Sequence, residues 1–384
     1  MNINNSIQLA TKPADNLCQP SQYQNRYGLT FGAKSLTTDT VSFTGKKVNK
    51  LNRKAFKRLE EQLREIDDTH DPYSDVIMIP KRKLKRLKEK VKNRPNAESM
   101  VKLLSGYTQH MFPNGEARVF DLLAEETRQW KKRPEYKNGN FDFHDILQEH
   151  LPDAKPRLVS GQFKVLDNIR EYSQKNLNKQ ERALVEKRVK KLEDDIIDDK
   201  FRIKASVGYL EELYGEIGDK RKVKDIIKYT YDFPNGATSV DAFIVKNADK
   251  SHEEIAVALV EPSLNSLEHI HVQSKGGETK GDNLIAASKR MNNLRGSMEY
   301  EDFIERFPEI PKCTQRHVDD LVKKINRGGI PDIAYNLPGV KEQLAKESKG
   351  LINIDISHMK SGVFERIDGF KEKINSLVGH FNGI

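Results

Sequence analysis

The residues best equipped for chemistry lie between Leu267 and Gly296. Glu268 and His269 are adjacent, His271 follows two residues on, and Asn283 and Asn292 come after a Gly276-Gly277 pair. A carboxylate beside a neutral imidazole pairs a ligand for a hard cation with a group whose ordinary pKa suits it to take a proton near neutral pH. One carboxylate and one amide oxygen fill only part of an octahedral shell. A divalent ion such as Mg²⁺ would therefore keep waters and leave room for phosphate oxygens. Lys275, Lys280, Lys289, Arg290 and Arg295 surround these groups in sequence and are candidates to neutralise a nucleic-acid backbone, although each taken singly also reads as a solvated surface charge.

Positioning them requires a particular order of elements. The acid and imidazole sit on a short strand, Gly276-Gly277 marks a turn, and Leu284 to Ala287 reads as a second strand. Ser288 is a good N-cap for a helix presenting Asn292. Groups from a hairpin and a helix would then converge.

This order resembles the HNH nucleases, which share the ββα-metal fold. Glu268-His269-Ile270 matches the opening of the family pattern, Ser274-x-Gly276-Gly277 the turn, Asn283-Leu284 the middle and Asn292-x-x-Arg295-Gly296 the end. The resemblance implies a phosphodiester hydrolase. His269 would be the general base and Asn283 a brace for the loop that positions it. Glu268 and Asn292 would hold one divalent ion, Mg²⁺ first, with Mn²⁺, Ni²⁺ or Zn²⁺ as alternatives. Glu268 departs from the usual Asp and Val272 from the usual Pro. His271 stands at a usually apolar position, open to a role as spare ligand or substrate contact. The match covers about residues 240 to 307.

The remaining chain reads as mainly α: a helical scaffold carrying this small α+β module. Residues 1–50 are rich in Asn, Gln, Ser and Thr and read as a disordered polar tail. Helical spacing marks a scaffold over 51–236, with the module at 237–310 and a helical C-terminal arm at 311–384. Within the scaffold, Lys81 to Arg94 holds nine cations and one anion. Leu84, Leu87 and Val91 are spaced as the apolar stripe of a basic amphipathic helix, suited to a nucleic-acid groove, to solvent or to a membrane surface. Two runs rich in β-branched residues, Ser239 to Val245 and Glu254 to Val260, read as strands. Trp130, Tyr136 and Phe141 offer base stacking beside Lys131 to Arg133, with core packing the stronger reading.

The 384 residues carry 66 Lys and Arg against 57 Asp and Glu, a formal charge of +9, so the basic segment at 81–94 accounts for most of the excess. Two cysteines, Cys18 and Cys313, exclude a disulfide framework or a Cys-built zinc knuckle. No apolar run approaches the roughly 20 residues of a bilayer span, and no Sec signal is evident, so a cytoplasmic location is the expectation. Nucleic acid, with DNA foremost, is the expected partner. Two other readings compete: a catalytically decayed nucleic-acid-binding protein on the same fold, and a helical interaction or effector protein.

Overall fold

A computed structural model describes residue 57 and residues 60–236, 238–273, 276–296, 298–327 and 337–360. The expected tail at 1–50 and the end of the expected C-terminal arm, 361–384, lie outside these.

The described chain is mainly α. Helices α1 (Lys81–Val91), α2 (Ala97–Leu104) and α3 (Glu116–Trp130) precede a long α4 (Phe143–Asn176). Next come α5 (Lys179–Ile197), α6 (Ile203–Glu211), α7 (Lys220–Thr230), α8 (Val240–Asn247) and α9 (His252–Ala258). Strands β1 (Asn265–His269) and β2 (Leu284–Ser288) lead into α10 (Lys289–Arg295), followed by α11 (Tyr300–Arg306), α12 (Ile310–Asn326) and α13 (Leu337–Glu347).

Two expectations are corrected. The runs expected as strands at 239–245 and 254–260 are α8 and α9. Ser239 accepts a hydrogen bond from the Ala242 amide, and Ser251 forms a reciprocal cap with Glu254. Each run buries apolar residues, among them Phe243, Ile244, Ile255 and Ala256, in a helical core, so capping and tertiary packing outweigh the β preference of Val and Ile. Helix α4 runs through a stretch whose prolines argue against one. Pro152 and Pro156, each lacking an amide hydrogen, discourage a helical reading there, yet the helix passes through both, started by a capping box between Asp142 and Asp145.

Three buried clusters organise the chain. One joins α1 to α3 with the start of α4, α8 and α9. A second is built along the rest of α4 by α5, α6 and α7. The third surrounds the hairpin: Leu284, Ile285, Ala287, Met291 and Leu294 pack with Tyr300, Phe303 and Phe307, with Leu63, Tyr73 and Val76 from before α1, and with apolar faces of α12 and α13. The hairpin thus shares one core with the segment expected as a C-terminal arm.

Candidate active site

Strands β1 and β2 pair antiparallel, with Asn265 opposite Ser288 and His269 opposite Leu284. Residues 270–283 connect them, and Asn283 closes this connection. Its side-chain oxygen accepts from the His271 amide at 2.7 Å, and its nitrogen donates to the carbonyls of His271 at 3.1 Å and Glu278 at 2.7 Å. Gly276 has φ of +95°, and a Cβ on Gly277 would stand 1.9 Å from the His271 carbonyl oxygen, so only glycine fits there. Ser288 caps α10 by accepting from the Met291 amide at 3.2 Å.

Neighbouring strand residues leave on opposite faces, which separates the acid from the imidazole. Glu268 is buried and ion-paired with the equally buried Arg295 in the last turn of α10. Arg295 also donates to the carbonyls of His269 and Ile270, each at 2.7 Å, and lies over the Tyr300 ring, 4.1 Å from its centroid. Burial pushes the Glu268 carboxyl up to about 7 even with Arg295 beside it. Asn292, one turn before Arg295, donates through its amide nitrogen to the Leu267 carbonyl at 2.7 Å and to Ser266 Oγ at 3.0 Å. Asn292 and Glu268 therefore face the helix side of β1, since Ser266 and Glu268 are two residues apart on the strand. His269 turns to the connecting loop, half-buried, with Nε2 3.2 Å from Thr279 Oγ1.

The expected phosphate-binding cations divide. Lys275 lies outside the described residues. Lys280 is exposed and paired with Glu278, and Lys289 pairs with Glu261 at 2.8 Å. Arg290 and Arg295 are corrected from surface to interior. Arg290 is paired with the buried Glu116 and lies 4.0 Å above Phe112, and Arg295 belongs to Glu268. As placed, both guanidiniums are engaged inside the protein. His271, a candidate spare ligand, is tied through Nδ1 to Glu347 of α13 at 2.7 Å.

Several participants escape sequence reasoning. Asp71 accepts from the Ser288 amide at 2.8 Å and from Ser74 Oγ at 2.6 Å, fixing the start of α10; burial raises its carboxyl to about 6. The Tyr73 and Tyr300 hydroxyls meet at 2.8 Å beside the Glu268–Arg295 pair. Asp71 and Tyr73 lie 217 and 227 positions from Ser288 and Tyr300, and no local signal marks them. Tyr300 opens the stripe Tyr300, Phe303, Phe307, which is at least legible as a buried helical face.

Glu268 and Asn292 are donors of the kind a hard divalent ion takes. As arranged they do not fit one, because the carboxylate already has its cation in Arg295 and is closed from solvent. Among the described residues no group of three or more His, Cys, Asp or Glu side chains stands together as a metal-holding set. No described helix is long and apolar enough to cross a membrane. In comparisons with family models, curated proteins and solved structures, the chain matches none.

Proposed function

We propose that this chain is an endonuclease of the HNH kind, hydrolysing phosphodiester bonds in nucleic acid, with DNA the leading substrate. The observation that carries the reading is the Asn283 brace. Within a strand–loop–strand–helix order, the residue that the motif places there makes three hydrogen bonds across the loop beside His269. A chance hairpin has no need of that residue at that point.

In this reading the His269 imidazole accepts a proton from water, the resulting hydroxide oxygen bonds to phosphorus, and the bond to the 3′ oxygen breaks, that oxygen leaving with the electron pair and taking a proton from solvent. Thr279 and the Asn283-closed loop hold the ring in place. Glu268 and Asn292 take a divalent ion only after Arg295 has released the carboxylate, so no step here runs through one.

The Glu268–Arg295 pair favours a second reading, a nucleic-acid-binding protein whose site has lost its metal. Incubation of the purified chain with plasmid DNA across Mg²⁺, Mn²⁺, Ni²⁺ and Zn²⁺ separates the two. Nicking that disappears in a folded His269→Ala variant supports the nuclease. Retarded but intact plasmid with every ion supports the second reading, and undiminished cutting by His269→Ala removes His269 from the chemistry.

A further inference from the structure

Helix α1 carries the densest charge in the chain, and its apolar stripe is fully used. Leu84, Leu87 and Val91 are buried in the core shared with α2, α3 and α9. An amphipathic helix lies in a membrane surface by inserting its apolar face, and α1 has none to insert.

The opposite side is cationic and solvent-facing. Lys81, Arg82, Lys85, Arg86, Lys88, Lys90 and Lys92 are all exposed. Arg82 pairs with Asp67, and the half-buried Lys83 approaches Asp68 at 3.6 Å. Lys81, Lys85, Arg86, Lys88, Lys90 and Lys92 have no ion-pair partner among the described residues.

Their spacing has a direction. Lys81, Lys85, Lys88 and Lys92 are separated by four, three and four residues, so they fall in one row along one flank of the helix. At about 1.5 Å per residue the row spans roughly 17 Å. One strand of a duplex places about five phosphates along that length of axis.

The row also leads towards the hairpin. Ile79, just before α1, bridges to Leu264, and its carbonyl accepts from the Asn265 amide at 2.9 Å, at the start of β1. Lys88, Lys250 and Lys289 all act electrostatically on Glu261, and Lys289 is the first residue of α10. Lys289 pairs with this carboxylate at 2.8 Å and Lys88 and Lys250 act on it from further off, so α1 and the helix that bears Asn292 flank one acidic side chain.

We propose that the Lys81–Lys85–Lys88–Lys92 row, continued by Lys250 and Lys289, is a docking track for the phosphate backbone of double-stranded nucleic acid. The proposal shares its partner class with the nuclease reading but does not need catalysis. The track binds by charge, without reading bases, and releases counterions as it does so.

The test uses the full chain and its folded Lys81→Gln/Lys85→Gln/Lys88→Gln variant. A control, Lys179→Gln/Lys187→Gln/Lys190→Gln, removes the same charge from exposed positions on α5. Binding of a 30-base-pair DNA duplex is followed by fluorescence anisotropy between 50 and 200 mM salt in EDTA. Removing three phosphate contacts is expected to flatten the slope of log K against log[salt] by about 3, since each contact contributes about 0.9. The control should keep the wild-type slope. Equal slopes in all three proteins, no duplex binding by the wild type, or row-dependent binding only to anionic phosphatidylserine vesicles overturns the proposal. The His269→Ala variant is run alongside. If it binds with the wild-type slope while no protein nicks plasmid in a separate incubation with Mg²⁺, Mn²⁺, Ni²⁺ or Zn²⁺, the track stands and the nuclease reading falls; if nicking there depends on His269 while duplex binding does not depend on the row, the reverse holds.

Discussion

Glu268 and Arg295 form a buried ion pair that ties the end of β1 to the last turn of α10, and the guanidinium also donates to the carbonyls of His269 and Ile270. The pair therefore acts as a clasp closing the hairpin onto its helix. Removing one partner strands the other charge in a dry site, at a cost of about 3–5 kcal/mol. Arg295→Met is expected to show that loss in urea unfolding, and Glu268→Gln a smaller one, because Arg295 keeps its two carbonyl acceptors. An Arg295→Met variant within about 1 kcal/mol of the wild type would contradict the clasp.

Much of this region is legible in the residues themselves. Ser288 announces the start of α10, Gly276-Gly277 the turn, and Leu84, Leu87 and Val91 the buried face of α1, because each signal is local and its physics acts within a few residues. The partners of the site are not local. Asp71 reaches the Ser288 amide across 217 positions, and Glu347 meets His271 across 76. The burial of Arg290 and Arg295 depends on Glu116, Phe112 and Tyr300 being brought to them, so in sequence both pass for surface cations. Ser239 and Ser251 cap α8 and α9, but the branched residues after them point to strands. Only packing against α4 and its neighbours decides between the two.

The connecting loop offers a sharper contrast. A methyl group at Gly277 collides with backbone, whereas one at Gly276 meets open space and is opposed only by its φ of +95°. Gly277→Ala should abolish amide protection over 271–283 in hydrogen exchange, and Gly276→Ala should weaken it less. Asn283→Ala removes three hydrogen bonds, each worth about 0.5–1.5 kcal/mol. It should mobilise the same stretch, with any plasmid nicking falling in parallel. Unchanged protection in Asn283→Ala would remove the brace.

Helix α1 separates packing from charge on one element. Leu87 has no exposed surface, so Leu87→Ala should lower stability by about 2–5 kcal/mol through the cavity it leaves. Lys85→Gln/Arg86→Gln changes only solvated groups with no ion-pair partner among the described residues and should leave the thermal midpoint within about 2 °C, an effect of roughly ±0.5 kcal/mol. Comparable shifts in both variants would mean that the cationic face is itself structural.

His317 supplies a pH signature. It lies fully buried in α12, with Nδ1 2.6 Å from the His70 carbonyl oxygen, and burial lowers its pKa from 6.5 to about 4. The unfolded chain therefore binds more protons than the folded one between those values, so this group's contribution to stability is present above pH 6.5 and is lost as the pH falls towards 4. The shift corresponds to about 3 kcal/mol. Asp71 and Glu116, raised by burial to about 6 and about 7, act in the opposite sense over an overlapping range, so the total profile does not isolate the histidine. The difference between wild type and His317→Gln does, since glutamine can still donate to the carbonyl but does not titrate. From pH 4 to pH 7 the wild type should gain about 3 kcal/mol on the variant in urea unfolding, and a flat difference would mean that His317 is reached by water.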